Sequence, residues 1–489
     1  MAKAGADTRA FALSRRHRLP GVVIGEANEG HALELAWDGH RVLVAKGTDG
    51  VRLVSESYRD FAECFPSLVR ALVRWPVKTL VGEAWIAALD PAMRPSFELL
   101  RGYVADGSPM RGGPPLVLLF ADLLHLDGED LGALPLVERR ARLGAALAGH
   151  GPGLALSGTL PGALEDAKRT ARSLGVPGLL ARADDPTAPL VSLLGPLPDH
   201  HLSAPARVTN ADKLMYPRDG LTKQAVAAYY RDIAPLMLPL LRDRPVVCQR
   251  WPDGIDDFTW YQHRMPPKAP DYLRAVFIDG NRRIVIDDAE GLLWMVNQAA
   301  LTFHGWASRV GSLTEPDWAI FDLDPPEGTP YAKLIDIALA LRKLLEMLGL
   351  ASVPKTSGQK GLHVLVPLAK GHDVDTVHDF ARRVSRVIAH TLPARVTLET
   401  ERDKRGGRVY LDHGQNFLGK SLVLPYSLRA VDGAPVSTPL AWEEVNERLD
   451  PRAFTLATLR ARVDAKGDLA APLLDFRGVL GPALARLPP

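Results

Sequence analysis

Asp322 and Asp324, in Phe321-Asp322-Leu323-Asp324-Pro325-Pro326, are two residues apart in a run that reads as a strand. Residues at that spacing project from the same face, so the two carboxylates lie side by side. Unpaired carboxylates a few ångströms apart repel each other unless a cation neutralises them. Mg²⁺ or Mn²⁺ does so through oxygen ligands and leaves positions open for substrate phosphates. A third carboxylate from another strand, Asp412 in Val409-Tyr410-Leu411-Asp412, would complete a two-metal phosphoryl-transfer site. The plainer alternative is that Asp-x-Asp followed by two prolines simply leaves a strand for a turn.

The elements that must position these groups can be read on either side. Leu334, Ile337, Leu341, Leu344, Leu345 and Leu348 recur at helical spacing and Gly349 closes the helix. A second strand follows with Ser357-Gly358-Gln359-Lys360-Gly361-Leu362-His363-Val364. Gly358 and Gly361 let backbone N–H groups approach an anion, and Ser357 and Lys360 add donors. Taken singly, His363 in an apolar strand is as readily a hydrogen-bonded core residue, and the glycine turn an ordinary tight loop.

In this order and separation the segments resemble the polymerase domain of bacterial ligase D, of the archaeo-eukaryotic primase superfamily, from about Val208 to Trp442. The similarity includes Val208-Thr209-Asn210-Ala211-Asp212-Lys213-Leu214-Met215-Tyr216-Pro217 with Gly220-Leu221-Thr222-Lys223, then Arg244-Pro245 and Arg250-Trp251-Pro252-Asp253-Gly254. Asn297, His304 to Arg309 and Lys355-Thr356-Ser357-Gly358 follow. Asp412-His413-Gly414-Gln415-Asn416 then leads through Gly419-Lys420-Ser421 to Pro425-Tyr426-Ser427-Leu428-Arg429.

The resemblance implies a primase-type, RRM-like core, a small sheet with helices on one face, and template-directed nucleotidyl transfer with a ribonucleotide bias among NTP and dNTP substrates. It implies that Asp322, Asp324 and Asp412 hold two Mn²⁺ or Mg²⁺ ions, and that Ser357, Lys360, His363, Lys420 and Arg429 surround the incoming triphosphate. His304 matches a histidine required for activity, so the catalytic set is Asp322, Asp324, Asp412 and His304. Some family members have Arg where Gln415 stands, which weakens a triphosphate contact there. Lys213 and Lys223 match a pair that holds a downstream 5′-phosphate, as compact ammonium charges without sequence preference would. Trp260 and Tyr261 align with aromatics that stack under template bases, and as residue types they serve equally as core.

The N-terminal part carries Leu35-Ala36-Trp37-Asp38-Gly39-His40-Arg41, Gly82-Glu83, and Phe120 to Gly128 with Pro135 to Arg140. These resemble the adenylation domain of an ATP-dependent DNA ligase, in which the residue two before the Asp-Gly pair is the lysine that attacks ATP. Here it is Ala36, whose methyl group forms no phosphoramide bond. Lys46 precedes Asp49-Gly50, one residue too far. The family's acid and lysine near Val176 to Arg182 are Pro177 and Arg182, and nothing between Arg182 and the polymerase-like segment is long enough for the family's oligonucleotide-binding fold. The resemblance implies a degenerate, ligase-inactive unit.

With 489 residues, 46% hydrophobic and 24% charged, the chain has the composition of a globular protein of two or three domains. Pro186, Pro189, Pro196, Pro198 and Pro205 mark a linker. The expected organisation is a mobile basic tail over 1–19, an adenylation-like α+β domain over 20–184, a linker over 185–206 and the primase-polymerase domain over 207–489, an α+β and α/β chain. After Asp450, Leu456, Leu459, Val463, Leu473 and Leu474 show helical periodicity, and this last segment is expected to pack against the polymerase core.

A near balance of 59 basic and 57 acidic residues argues against a general cationic coat, so DNA affinity must come from particular residues and weaken with salt. Cys64 and Cys248 make no disulfide framework. No apolar run is long enough to span a bilayer, and Met1 to Arg18 lacks the apolar core of a secretory signal. A cytoplasmic, nucleoid-associated protein without membrane contact is expected.

Two readings follow. One is a polymerase that fills gaps and extends ends in bacterial non-homologous end joining, on double-stranded DNA ends and gaps with 5′-phosphates, beside Ku and a separately encoded ligase. The other is a non-catalytic scaffold that bridges DNA ends and recruits that ligase. Three clustered carboxylates favour the first, because a scaffold has no physical need of them.

Overall fold

Leu116–Leu126 is apolar at nearly every position, which suits a strand covered on both sides. It lies beside Leu80–Leu89 in a seven-stranded sheet of the first of two units into which the chain divides. Those units are Met1–Ala204 with Ala269–Tyr272, and Pro205–Lys268 with Leu273–Pro489. This computed structural model describes residues 9–17, 19–56, 58–104, 113–149, 152–198, 202 and 206–488.

In the first unit, helix Pro66–Arg74 sets Leu68 and Leu72 against the sheet beside Phe65, Trp75 and Phe120. A second sheet orders Val22–Ile24, Leu190–Ser192, Gly178–Arg182 and Ala32–Ala36. Two expectations need correction here. Ala10–Arg16 is a helix with Ala10 and Leu13 buried against Leu43, Ala45 and Val54, where a mobile tail is expected. Two apolar residues three apart give that short helix one face to bury; residues 1–8 and 18 of the expected tail lie outside the described residues. Leu190–Ser192, inside the expected linker, is a strand of the first unit, since three residues between Pro189 and Gly195 suffice for a short pairing. Residues 199–201 and 203–205 of the linker lie outside the described residues.

The second unit holds a five-stranded sheet, ordered Val353–Thr356, Leu362–Pro367, Trp318–Asp324, Val409–Asp412 and Val396–Thr397. Helices Ala332–Met347 and Val374–Thr391 share one core with a single face of it: Leu334, Ile337, Leu341, Phe380 and Val384 meet Ala319, Phe321, Leu323, Val364 and Leu411. Full burial contributes roughly 1.5–3 kcal/mol for each such Leu or Phe, enough to leave the opposite face free for polar side chains. The first helix stops before Gly349, whose φ of 78° favours glycine. The second is capped by Asp373, whose carboxylate accepts the Thr376 N–H at 2.8 Å.

A six-stranded sheet orders Arg274–Ile278, Asn281–Val285, Pro245–Arg250, Ala300–Trp306 and Ser421–Val423, with Trp260–Gln262 beside Pro245–Arg250. The fully buried Arg244 ties this sheet to the five-stranded one. It donates to Leu240 O, Trp306 O and the Asp317 carboxylate, and its guanidinium lies 3.9 Å from the Trp318 ring centre. The C-terminal segment packs against the core of the second unit, as expected, though through side chains beyond the expected periodicity: Leu480, Ala483 and Leu487 join the same apolar cluster, and Leu473 O accepts from the Trp318 indole at 2.9 Å.

Candidate active site

Alternation along Trp318–Asp324 sends Ala319, Phe321 and Leu323 into the helix-covered core, so Asp322 and Asp324 share the other face. Strand pairing then builds a row. Lys355 is opposite His363, His363 is opposite Asp322, and Asp322 is opposite Asp412. Directly paired residues put their side chains on the same side, so four strands deliver two cation-forming groups and two carboxylates in register. One step along, Asp324 is opposite Tyr410.

Each carboxylate has a distinct set of partners. His363 Nε2 lies 3.3 Å from Asp322 Oδ1. Burial alone would raise the Asp322 carboxyl, but His363, Lys355 and Arg429 hold it below the usual aspartate value. Asp324 faces Lys360 Nζ at 3.4 Å and Arg405 Nη1 at 3.2 Å, and the Arg405 guanidinium covers the Tyr410 ring at 4.1 Å. Asp412 accepts from Tyr410 Oη at 3.1 Å, Gly414 N at 2.8 Å and Gln415 Nε2 at 3.2 Å. Among the described residues no three His, Cys, Asp or Glu side chains are gathered closely enough to form a metal cluster by themselves. The all-oxygen donors on one face are the type that suits Mg²⁺ or Mn²⁺.

The glycine turn is built for close packing. A Cβ on Gly358, at φ 74°, would lie 2.6 Å from Arg429 Cγ, and one on Gly361 would lie 2.8 Å from Leu323 O. Ser357 Oγ accepts from Gln359 N and Gly361 N and so closes the turn. Arg429 donates to Ser357 O at 3.1 Å and Gln359 Oε1 at 3.0 Å.

Three buried nitrogens here have no hydrogen-bond partner among the described residues: Arg429 Nε, His363 Nδ1 and His304 Nε2. Unmet buried polar groups cost about 1–3 kcal/mol each, and such a set fits a site made for a polar anionic ligand. Burial, with Arg429, Lys355 and His363 adding to it, pushes His304 down to about 3. Burial and Lys355 push His363 down to about 4 against the opposing pull of Asp322.

Two further residues join the site. Lys355 is wholly buried, donates to Ser437 Oγ and is driven well below the lysine range by burial and Arg429. Asn416 is also buried, and its amide accepts from Ile320 N and donates to Ile320 O, both at 2.8 Å. Both lie within motifs of the sequence, yet neither stands out there as a site residue; the one signal for Lys355 is a charged residue in an otherwise uncharged strand.

The remaining expected residues fall in separate places. Lys213 and Lys223 flank the hairpin of Leu214–Tyr216 and Leu221–Thr222, and Lys223 N donates to Lys213 O at 2.7 Å. Lys213 Nζ pairs with Asp253 at 2.5 Å and is half-exposed, while the more buried Lys223 Nζ donates to Thr209 O at 2.9 Å. Burial, then Lys213 and Arg250, lower the Lys223 pKa. Tyr261 is exposed and meets His304 edge-on at 5.8 Å; Trp260 is half-buried. Lys420 is exposed, and among the described residues no side-chain hydrogen bond or ion pair joins it to the others.

In the first unit Ala36 is fully buried with Trp85, Leu180 and Leu190. Arg182, also buried, reaches Glu34 at 2.9 Å and Glu83 at 2.8 Å, and Arg41 meets the other Glu83 oxygen at 2.8 Å. Burial works against the Glu83 charge, but Arg182 and Arg41 hold its carboxyl at about 2. Lys46 Nζ donates to Leu72 O, Val73 O and Trp75 O at 2.8, 3.2 and 2.6 Å, so its three protons cap the end of helix Pro66–Arg74.

Comparison with known proteins gives two family matches: the primase-polymerase domain of LigD over residues 222–470, and the ATP dependent DNA ligase domain over residues 19–158. The multifunctional non-homologous end joining protein LigD of Mycolicibacterium smegmatis is 37% identical over 275 residues, covering 55% of this chain. The chain spans only 36% of that relative's length. A probable DNA ligase of Anaeromyxobacter is 41% identical over 128 residues, 25% of this chain and 24% of that protein. The solved polymerase domain of Mycobacterium tuberculosis ligase D, in complex with DNA, is 32% identical with a TM-score of 0.52, covering 56% of this chain and 99% of that one.

Proposed function

The chain belongs to the LigD primase-polymerase family, and on that premise we propose that its second unit adds nucleotides to a primer 3′ end on a template, at gaps and broken ends bearing a 5′-phosphate. The observation that carries this reading is the row Lys355, His363, Asp322 and Asp412, flanked by three partnerless buried nitrogens. Cationic and donor groups on one side and carboxylates on the other suit a triphosphate and the ions that accompany it.

Asp322, Asp324 and Asp412 would hold Mg²⁺ or Mn²⁺, whose chemistry there is to acidify the primer hydroxyl and neutralise the departing pyrophosphate. Arg429, His363 and His304 face the phosphates with nitrogens that no protein group among the described residues matches. Lys360 and Lys420 add exposed ammonium charges, and Ser357 fixes the turn that presents Lys360. Lys213 and Lys223 hold the 5′-phosphate, and Trp260 and Tyr261 support template bases. In non-homologous end joining, Ku and a separate ligase would supply end capture and sealing.

The first unit, in this reading, is a ligase-type fold without adenylation. Ala36 supplies no nucleophile, Arg182 is locked between Glu34 and Glu83, and Lys46 is consumed as a helix cap.

Primer extension on gapped DNA with Mn²⁺ tests the polymerase. Extension by the unmodified protein, abolished in Asp322→Ala/Asp324→Ala while DNA binding persists, is the expected result. Equal extension by that double variant would sink the assignment.

A further inference from the structure

Arg250 is paired in register with Trp260 across neighbouring strands, and its guanidinium lies 4.7 Å from the Trp260 ring centre. Phe258, two residues before Trp260, stacks on the same indole, with centres 5.6 Å apart and planes 30° from parallel. Phe258 is 68% exposed, more than Tyr261 at 51%. An apolar ring held out on a pre-stacked support is a surface on which another flat π-system can sit at little ordering cost.

The loop that carries Phe258 is built onto the hairpin of the two lysines. Asp253 pairs with Lys213, Ile255 N donates to Met215 O at 3.0 Å, and a Cβ on Gly254 would lie 3.0 Å from Leu214 O. The stack and the basic pair therefore form one continuous surface. Lys213 and Lys223 bring cationic charge, part of it met by Asp253, whereas the residues beside Phe258, Asp256 and Asp257, are exposed carboxylates. Phosphate is drawn to the lysines and repelled beside Phe258, so what approaches the ring is the uncharged part of a nucleotide.

We propose that Phe258 is a stacking site for the nucleobase at the 5′-phosphorylated terminus whose phosphate rests on Lys213 and Lys223. This rests on the 5′-phosphate role of those lysines and adds to it a second point of recognition, the terminal base itself. The surface reads a terminus as phosphate plus ring, independent of sequence because every base has a π-face.

Binding of the full chain to gapped duplexes, without nucleotide or metal, tests it. Four fluorescent duplexes are compared, with the downstream terminus phosphorylated or not, and its first residue either a natural nucleotide or an abasic tetrahydrofuran. The unmodified protein should bind the phosphorylated natural terminus roughly five- to twentyfold more tightly than the phosphorylated abasic one. Phe258→Ala should bring that ratio close to one while keeping the preference for phosphate, and Phe258→Trp should restore it. Lys213→Ala/Lys223→Ala should instead erase the phosphate preference. A preserved base ratio in Phe258→Ala overturns the inference and leaves the phosphate role of the lysines standing. Absence of any phosphate preference in the unmodified protein overturns both. Phe258 is exposed, so its replacement leaves the fold intact, which a thermal melt verifies.

Discussion

Asp322 and Asp412 stand directly opposite each other on antiparallel strands, two carboxylates in register on the same face of a sheet. Like charges so placed are destabilising by roughly 0.2–1 kcal/mol, a cost that His363, Lys355 and Arg429 outweigh at Asp322 but that Asp412 meets only through hydrogen bonds from Tyr410, Gly414 and Gln415. Asp412→Asn should therefore raise the metal-free melting temperature by about one to three degrees at most and abolish nucleotide addition in the same protein. Scanning calorimetry in chelator, paired with primer extension, checks both; a destabilised Asp412→Asn would mean that the carboxylate's accepted hydrogen bonds outweigh the repulsion.

Lys213 and Lys223 act as a pair across their hairpin. Removing both should abolish the preference for 5′-phosphorylated over 5′-hydroxyl gaps, while extension on simple primer-templates changes much less. Competition binding between the two gap types decides it, and an unchanged preference would place the phosphate pocket elsewhere.

His304 gives a pH signature. Its imidazole is held at about 3, below the ordinary 6.5, by burial and then by Arg429, Lys355 and His363. The unfolded chain thus takes up a proton between pH 6.5 and 3 that the folded protein refuses. Stability is complete above 6.5 and falls as pH drops through that window, by on the order of a few kcal/mol. In His304→Gln the acid limb of the stability curve should be shallower in urea titrations from pH 7 to 4. An identical limb would show that His304 takes up its proton while the protein is folded.

Ala36 offers the sharpest test of the first unit. A lysine placed among Trp85, Leu180 and Leu190 would bury an ammonium, at an effective penalty of several kcal/mol. Ala36→Lys should therefore destabilise this unit and still take no label from ATP carrying radioactive α-phosphate. Neither should the unmodified protein; covalent nucleotide mapped to Lys46 or another lysine before residue 185 would make it a working ligase.

The period of two along a strand makes the common face of Asp322 and Asp324 legible in the sequence, and the spacing of Leu334 to Leu348 does the same for the helix beneath them. Register is not legible there. That Asp412 faces Asp322 and not Asp324 depends on pairing between residues some ninety positions apart, which no local pattern encodes. Lys355 is inconspicuous for the same reason, its meaning lying in the strand beside it. The glycines of the 357–361 turn suggest anion approach, whereas their backbones are also crowded by Arg429 and Leu323. Leu190–Ser192 is hidden by the prolines around it, because three residues carry too little periodicity to register as a strand.

Asn416 grips both the N–H and the C=O of Ile320, while Asp412, four residues earlier, pairs with Asp322, two residues further along the same strand. The segment between them is therefore a ruler anchored twice to one rail. Inserting or deleting a single residue from His413 to Gln415 would force a choice between the two anchors: either the carboxylate leaves its row or the amide loses its grip. Substitutions within the segment are constrained by chemistry, but its length is constrained by counting, and length variation among relatives should be absent there even where side chains change freely.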